Sequence, residues 1–198
     1  MNGFEKRKER KKEDIRHAAI ELFSKYGFGR VSVNDIAREA GVSHVTVYNH
    51  FGSKEKLVYD VIQTEIDRLM ERSREIIRGD LPYMEKLEGI VFNKADLASH
   101  YNGEMMKEAL RNSPQMYKYI NDLWQNETNQ LVIELVEEGK ELGYINKEIS
   151  QEAIAYYFEM IRAGAFASSE MLSKIKIDAK LARDLNNLFL FGLIEKKK

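Results

Sequence analysis

Along the first third of the chain, apolar residues recur at helical spacing in four blocks separated by glycine- and serine-marked breaks. Ile15, Ala18, Ala19, Leu22 and Phe23 form the first stripe, which stops near Gly27 to Gly29. Val33, Ile36, Ala37 and Ala40 fall at i, i+3, i+4 and i+7, one face of a two-turn helix. Ser32 stands where an N-cap is needed and Asp35 follows three residues later, an acidic spacing that favours a helix start. Gly41 suits the left-handed residue that ends such a helix. Val42 turns inward, Ser43 caps the next helix, and Val47 and Phe51, four apart, form its buried side. His44, Val45, Thr46, Tyr48, Asn49 and His50 are left around the outside, while Ala40 is small where two crossing helices must come close. Two short helices joined by so tight a turn read as a helix-turn-helix, whose second helix enters a major groove by its N-terminal half.

The fourth stripe is longer. Ser53 caps it, Leu57, Val58, Val61, Ile62, Ile66 and Leu69 line its inner side, and Gly79 breaks it. Beyond it the pattern stays helical, with no sustained strand-like alternation. Both prolines sit where a helix can begin, since the first helical residue needs no N–H. Asp80-Leu81-Pro82 opens a segment to about Asn102, a shorter helix covers Glu104 to Leu110, and Ser113-Pro114 opens another helix to about Leu142. Gly143-Tyr144-Ile145-Asn146 reads as a turn, followed by helices over roughly 149–173 and 178–195. The expected fold is all-α: an N-terminal three-helix head with the helix-turn-helix (1–54), plus a larger C-terminal helical domain (55–198). Helix 4, from about 53, links the two.

Composition narrows the class. With 43% hydrophobic and 32% charged residues the chain is that of a globular protein. No apolar run approaches the ~18 residues of a membrane span, and the charged N-terminus lacks a secretory core, so a cytoplasmic location is expected. There are no cysteines, which excludes disulfides, thiolate metal sites and cysteine nucleophiles. The net charge of −1 is uninformative, but its distribution is not. Residues 1–54 carry 11 Lys+Arg against 7 Asp+Glu, and residues 55–198 carry 20 against 25. A basic head on an acidic body fits a protein that presents its N-terminal domain to a polyanion.

The runs IAREAGVS, VTVYNHF and SKEKL, in that order and spacing, resemble the DNA-binding segment of the TetR family of transcriptional regulators. The likeness covers about 26 residues and has one departure: Val45 stands where the family commonly has Gly or Ala. By position in the motif, the resemblance assigns Tyr48, His50 and Lys54 to DNA phosphates. The chemistry agrees, since phenol, imidazole and ammonium groups all donate to phosphate oxygens, and Lys54 also lies on the first turn of helix 4. Ser32 and Ser43 are further donors of this kind. His44, Val45, Thr46 and Asn49 are the candidates for reading bases, with Asn suited to adenine and the Val and Thr methyls to a thymine methyl. Lys6, Arg7, Lys8, Arg10, Lys11 and Lys12, interrupted by Glu9, are read as an arm that precedes the first helix and reaches phosphates or a minor groove.

For the C-terminal domain, the resemblance implies an apolar cavity for a small-molecule effector. Residues 83–171 are rich in aromatic and methionine side chains, which suit such a cavity and a plain core equally; Phe92, Trp124 and Tyr156 are the pocket candidates. The helix from 149 is apolar on two faces, one with Ile154, Phe158, Ile161, Ala165, Ser168 and Leu172, the other with Tyr156, Met160, Ala163, Ala167 and Met171. Leu181, Leu185, Leu188 and Phe189 supply its neighbour. The resemblance implies a homodimer through these last two helices (about 149–195), placing two recognition helices on a palindromic double-stranded operator. Enzymatic readings find little: no nucleophile motif, no glycine-rich phosphate loop, and one i, i+4 pair, His100 and Glu104, without a third metal ligand in sequence. No catalytic residue, metal or cofactor is expected. The expected function is a sequence-specific, ligand-responsive transcriptional repressor; the alternative is a DNA-bound dimer that recruits a protein partner and binds no small ligand.

Overall fold

The computed structural model describes residues 3–90 and 113–167, together with 180, 184 and 188, and all regular structure among them is helical. In chain order these are α1 (Gly3–Tyr26), α2 (Val33–Glu39), α3 (His44–Phe51), α4 (Lys54–Arg78), a helical stretch from residue 83, α5 (Pro114–Leu123), a π-helical turn (Trp124–Thr128), α6 (Asn129–Glu141) and α7 (Gln151–Ala167). The all-α expectation is met. No helix among the described residues is long and apolar enough to cross a membrane.

One expectation is corrected. The basic run does not precede the first helix but lies inside it, because α1 begins at Gly3. Lys, Arg and Glu are good helix formers, and Arg16 draws Glu9 and Glu13 together at 3.1 and 3.0 Å along one side of the helix.

The chain divides into two compact units. Among the described residues, the first holds 3–70 and 113–120, and the second holds 71–90 and 121–167. Residue 54 marks where α4 begins; the packing unit continues along α4 to Met70. The first unit's core is built from the stripes of α1 to α4: Ile15, Ala19, Phe23, Ile36, Val47, Leu57, Val61 and Ile62 are essentially sealed. Phe23 meets Phe28 edge-on with ring centroids 4.8 Å apart, fixing the loop after Gly27, whose φ of 79° ends α1. Polar ties supplement the core: Arg16 donates to Asp60 at 2.6 Å, and Arg68 pairs with Glu13, joining α1 to α4. Tyr119 on α5 donates to Asp67 and meets Tyr59 edge-on.

In the second unit, α4 is tied to the π turn and α6 by the pairs Arg74–Glu127 and Arg78–Glu134. Lys86 is buried because Glu138 accepts two bonds from its ammonium, at 2.8 and 2.9 Å. Tyr83 passes directly over Gly139 and stacks on Tyr144. The helix expected over Pro114 to Leu142 is interrupted by the π turn. Asn126 explains it: its side-chain amide donates to the Asp122 carbonyl at 2.8 Å, the acceptor its own backbone N–H would use in an α-helix. The Gly143 turn is present, with φ of 81°. The expected helix over Glu104 to Leu110, the His100–Glu104 pair, the end of the segment to Asn102 and the side chains of Leu181, Leu185 and Phe189 lie outside the described residues.

Candidate nucleic-acid interface

The helix-turn-helix is held by reciprocal caps. Ser32 Oγ accepts from the Asp35 N–H at 3.2 Å, and the Ser32 N–H donates to Asp35 Oδ2 at 3.0 Å. The Ser32 hydroxyl also donates to Asp35 Oδ2 at 2.6 Å. These bonds, the hydroxyl's first, hold the Asp35 carboxyl below the usual carboxylate range. The hydroxyl hydrogen of Ser32, expected to face DNA, is thus engaged within the helix cap. After α2, Gly41 takes φ of 63° and lets the Val42 N–H return to the Ala37 carbonyl at 2.9 Å.

Ser43 caps α3 by accepting from the Thr46 N–H at 3.1 Å, and the two hydroxyls lie 2.8 Å apart. They share one mutual bond, so one O–H of the pair is left for an outside acceptor. Val47 and Phe51 anchor α3 in the core. Opposite them, Val45, Tyr48, Asn49 and His44 are exposed, Val45 at 52% and Tyr48 at 45%.

Four of the nine expected residues line one open cleft: Ser32, His44, Tyr48 and Lys54, together with Gly29, Arg30, Val31, Val33 and Asn34. His44 and Tyr48, one turn apart on α3, stand edge to face with centroids 6.1 Å apart. Lys54 reaches across from α4 and donates to the Phe28 carbonyl at 2.6 Å, which ties the start of α4 to the loop before α2. An ammonium has three donors, so this bond leaves two. Arg30 and Asn34 escape the motif pattern; the signal for them is their position two residues either side of the capping Ser32. Val45 and Asn49 share a separate outward face of α3, and Ser43 and Thr46 occupy its N-terminus.

His50 lies elsewhere, in the last turn of α3. It is half-buried, and its Nδ1 is buried without a hydrogen-bond partner among the described residues. Burial lowers its pKa from the ordinary imidazole value, and Lys12, Lys8 and Lys11 lower it further against the opposing effect of Glu9. His50 is therefore harder to protonate than a free histidine.

Of the pocket candidates, Trp124 is half-buried in the π turn and Phe92 lies outside the described residues. Tyr156 is 64% exposed on α7 and is not enclosed by its own chain. It shares a face with exposed Met160 and Ala163, while Ile154 and Phe158 on the other face are half-buried.

Known proteins align with this arrangement. The model of the family described as bacterial regulatory proteins, tetR family, matches residues 15–61. The transcriptional regulator UidR of Escherichia coli K12 is 30% identical over 138 residues, 69% of each chain. The transcriptional repressor KstR2 of Mycobacterium tuberculosis H37Rv is 25% identical over 145 residues, 71% of this chain and 72% of its own. Among solved structures, the fatty acid degradation regulator FadR of Bacillus halodurans superposes with a TM-score of 0.69 at 26% identity, covering 94% of this chain and 97% of its own.

Proposed function

The chain belongs to the TetR family of bacterial regulatory proteins, DNA-binding transcriptional regulators, and from that premise we propose that it is a dimeric repressor released from a palindromic operator by a small-molecule effector. The observation that carries the DNA-binding half is the cleft beside α3. Arg30, Asn34, His44, Tyr48 and Lys54 gather there five hydrogen-bond donors, two of them permanently cationic, next to a helix whose Val45, Thr46 and Asn49 point away from the core. A phosphate in the cleft sets the register, and the outward residues of α3 then meet base edges in the major groove. Ser32 serves this surface through its cap, by fixing the start of α2, while Ser43 and Thr46 keep one hydroxyl hydrogen for DNA.

Dimerisation is supported by α7, whose outer face exposes Tyr156 and Met160, large apolar groups that a second copy would cover. Repression is supported by the KstR2 relative, a transcriptional repressor, and a small-molecule trigger by the FadR neighbour, a fatty acid degradation regulator. An effector acts by preferring a conformation in which the two recognition helices no longer match the operator, and it weakens binding by its differential affinity for the two states. The continuous α4, with residues 54–70 in the first unit and 71–78 in the second, is the element through which that preference reaches DNA.

The test is selection of duplexes from a random library by the full chain, repeated with metabolite pools, a long-chain fatty acid and its coenzyme A thioester as the first defined probes. An inverted-repeat sequence is expected, bound by two chains and released by a pool component. Recovery of no enriched sequence would refute the DNA reading. An enriched operator whose affinity no pool changes would favour a DNA-bound dimer that recruits a protein partner.

A further inference from the structure

The cations of α1 are sorted by face. At about 100° per residue, Lys8, Lys11 and Lys12 point within about 60° of the direction of Ile15, which is fully buried in the core. Lys6 and Arg10 point to roughly the opposite side. The stripe that enters the core at Ile15 therefore continues, one to two turns earlier, as a lysine face: Lys8 and Lys11 are exposed and Lys12 is half-buried. Around the helix, Glu5 and Glu9 lie about 20° and about 60° from Lys12, and Glu13 lies close to the direction of Lys6; Glu9 and Glu13 are already engaged. Glu9 and Glu13 pair with Arg16, Glu13 also pairs with Arg68, and Arg16 is bound to Asp60. No ion pair among the described residues involves Lys8, Lys11 or Lys12.

The lysine face is adjacent to α3: Lys8, Lys11 and Lys12 all act electrostatically on His50 in its last turn. A cationic surface thus extends beyond the end of the helix-turn-helix; Glu9 offsets part of its field at His50, but none of the three lysines is ion-paired among the described residues. We propose that Lys8, Lys11 and Lys12 form a second phosphate-contacting surface, a rigid helix face rather than a loose arm, which binds the backbone of the same duplex beyond the groove occupied by α3. The proposal rests on the reading of α3 as the groove helix. The partner follows from placement: on that reading α3 holds a polyanion beside these lysines, and three cations spread over little more than one turn, about 6 Å of helix rise, suit consecutive charges along a strand.

The experiment compares two variants that lose the same charge, Lys8→Gln/Lys11→Gln and Lys6→Gln/Arg10→Gln, with the wild-type chain. Each is titrated onto a duplex selected by the wild-type protein, across a salt series, with melting temperatures measured alongside. Each released phosphate contact lowers the slope of log affinity against log salt by about 0.9. Lys8→Gln/Lys11→Gln is therefore expected to bind on the order of tenfold more weakly at 0.15 M salt, with a slope shallower by about 1.8. The Lys6→Gln/Arg10→Gln variant is expected to keep the wild-type slope. A Lys8→Arg/Lys11→Arg variant, which keeps the charge, is expected to restore it. Equal losses in both Gln variants would reduce the effect to net charge and overturn the proposal, as would no loss in either. If the wild-type chain selects no duplex at all, the α3 reading falls first and this one with it, so the two failures are distinguishable.

Discussion

Replacing Lys54 by Met separates an observed tie to Phe28 from a proposed phosphate contact of the same ammonium. In the free protein it donates to the Phe28 carbonyl at 2.6 Å, and that carbonyl belongs to a residue whose ring is buried against Phe23. Met keeps the apolar stem and removes the donor. A hydrogen bond from a charged donor contributes about 1.5–3 kcal/mol; Lys54 is only half-buried, so solvent screening brings the expected loss to about 1–2 kcal/mol. For a chain of this length that is a fall of about 2–8 °C in melting temperature, at about 2–4 °C per kcal/mol. The two remaining donors face the cleft assigned to phosphate, and losing them costs one contact, or about 0.9 in the slope of log affinity against log salt. Circular dichroism melts and fluorescence anisotropy on a selected duplex measure the two effects on the same samples. A lower melting point with an unchanged salt slope would make Lys54 a structural tie alone. A shallower slope with an unchanged melting point would mean that the Phe28 bond contributes nothing. Either single result refutes the dual role.

Two further perturbations test the fold around the site and beyond it. A Cβ at Gly139 would overlap the Tyr83 hydroxyl and stand 2.6 Å from its Cζ, and Tyr83, buried and stacked on Tyr144, has little room to retreat. Gly139→Ala is therefore expected to destabilise by about 1–3 kcal/mol in chemical denaturation; a variant as stable as the wild type would show that this contact is loose. His50 has a pKa below its ordinary value, so between that lowered value and about 6.5 the unfolded chain binds a proton the folded chain does not. Stability then rises with pH across this window and is lost as the solution is acidified through it. His50→Gln should flatten the fall in melting temperature between about pH 7.5 and 5.5, and an unchanged fall would assign the acid sensitivity to other groups.

What was legible in the sequence is what local chemistry decides. Ser32 with Asp35, Ser43, Gly41 and the stripes from Ile15 to Ile66 each act within a few residues, and the caps, breaks and buried faces follow from them. The start of α1 is not legible from sequence for a physical reason: a run of lysines looks like a solvated tail, and only the shared helix side of Glu9, Glu13 and Arg16, reaching Asp60 and Arg68, places it in the helix. The π turn escaped because one amide, on Asn126, exchanges places with one N–H, which no periodicity records. The contact between Tyr83 and Gly139 joins segments more than fifty residues apart.

The interface itself shows the same division, with a functional consequence. Spacing identifies which residues are outside α3, but not that the Ser32 hydroxyl is committed to Asp35 or that Lys54 is shared with Phe28. Those commitments mean that the surface proposed for DNA is largely assembled in the free chain: the cleft's position is set by bonds within it. The cost of ordering these side chains is thus met mainly in folding rather than in binding. On the proposed reading, what the duplex then adds is charge neutralisation along α3, Arg30 and Lys54, and, if the lysine face of α1 binds as proposed, along a strand that the helix-turn-helix alone does not reach.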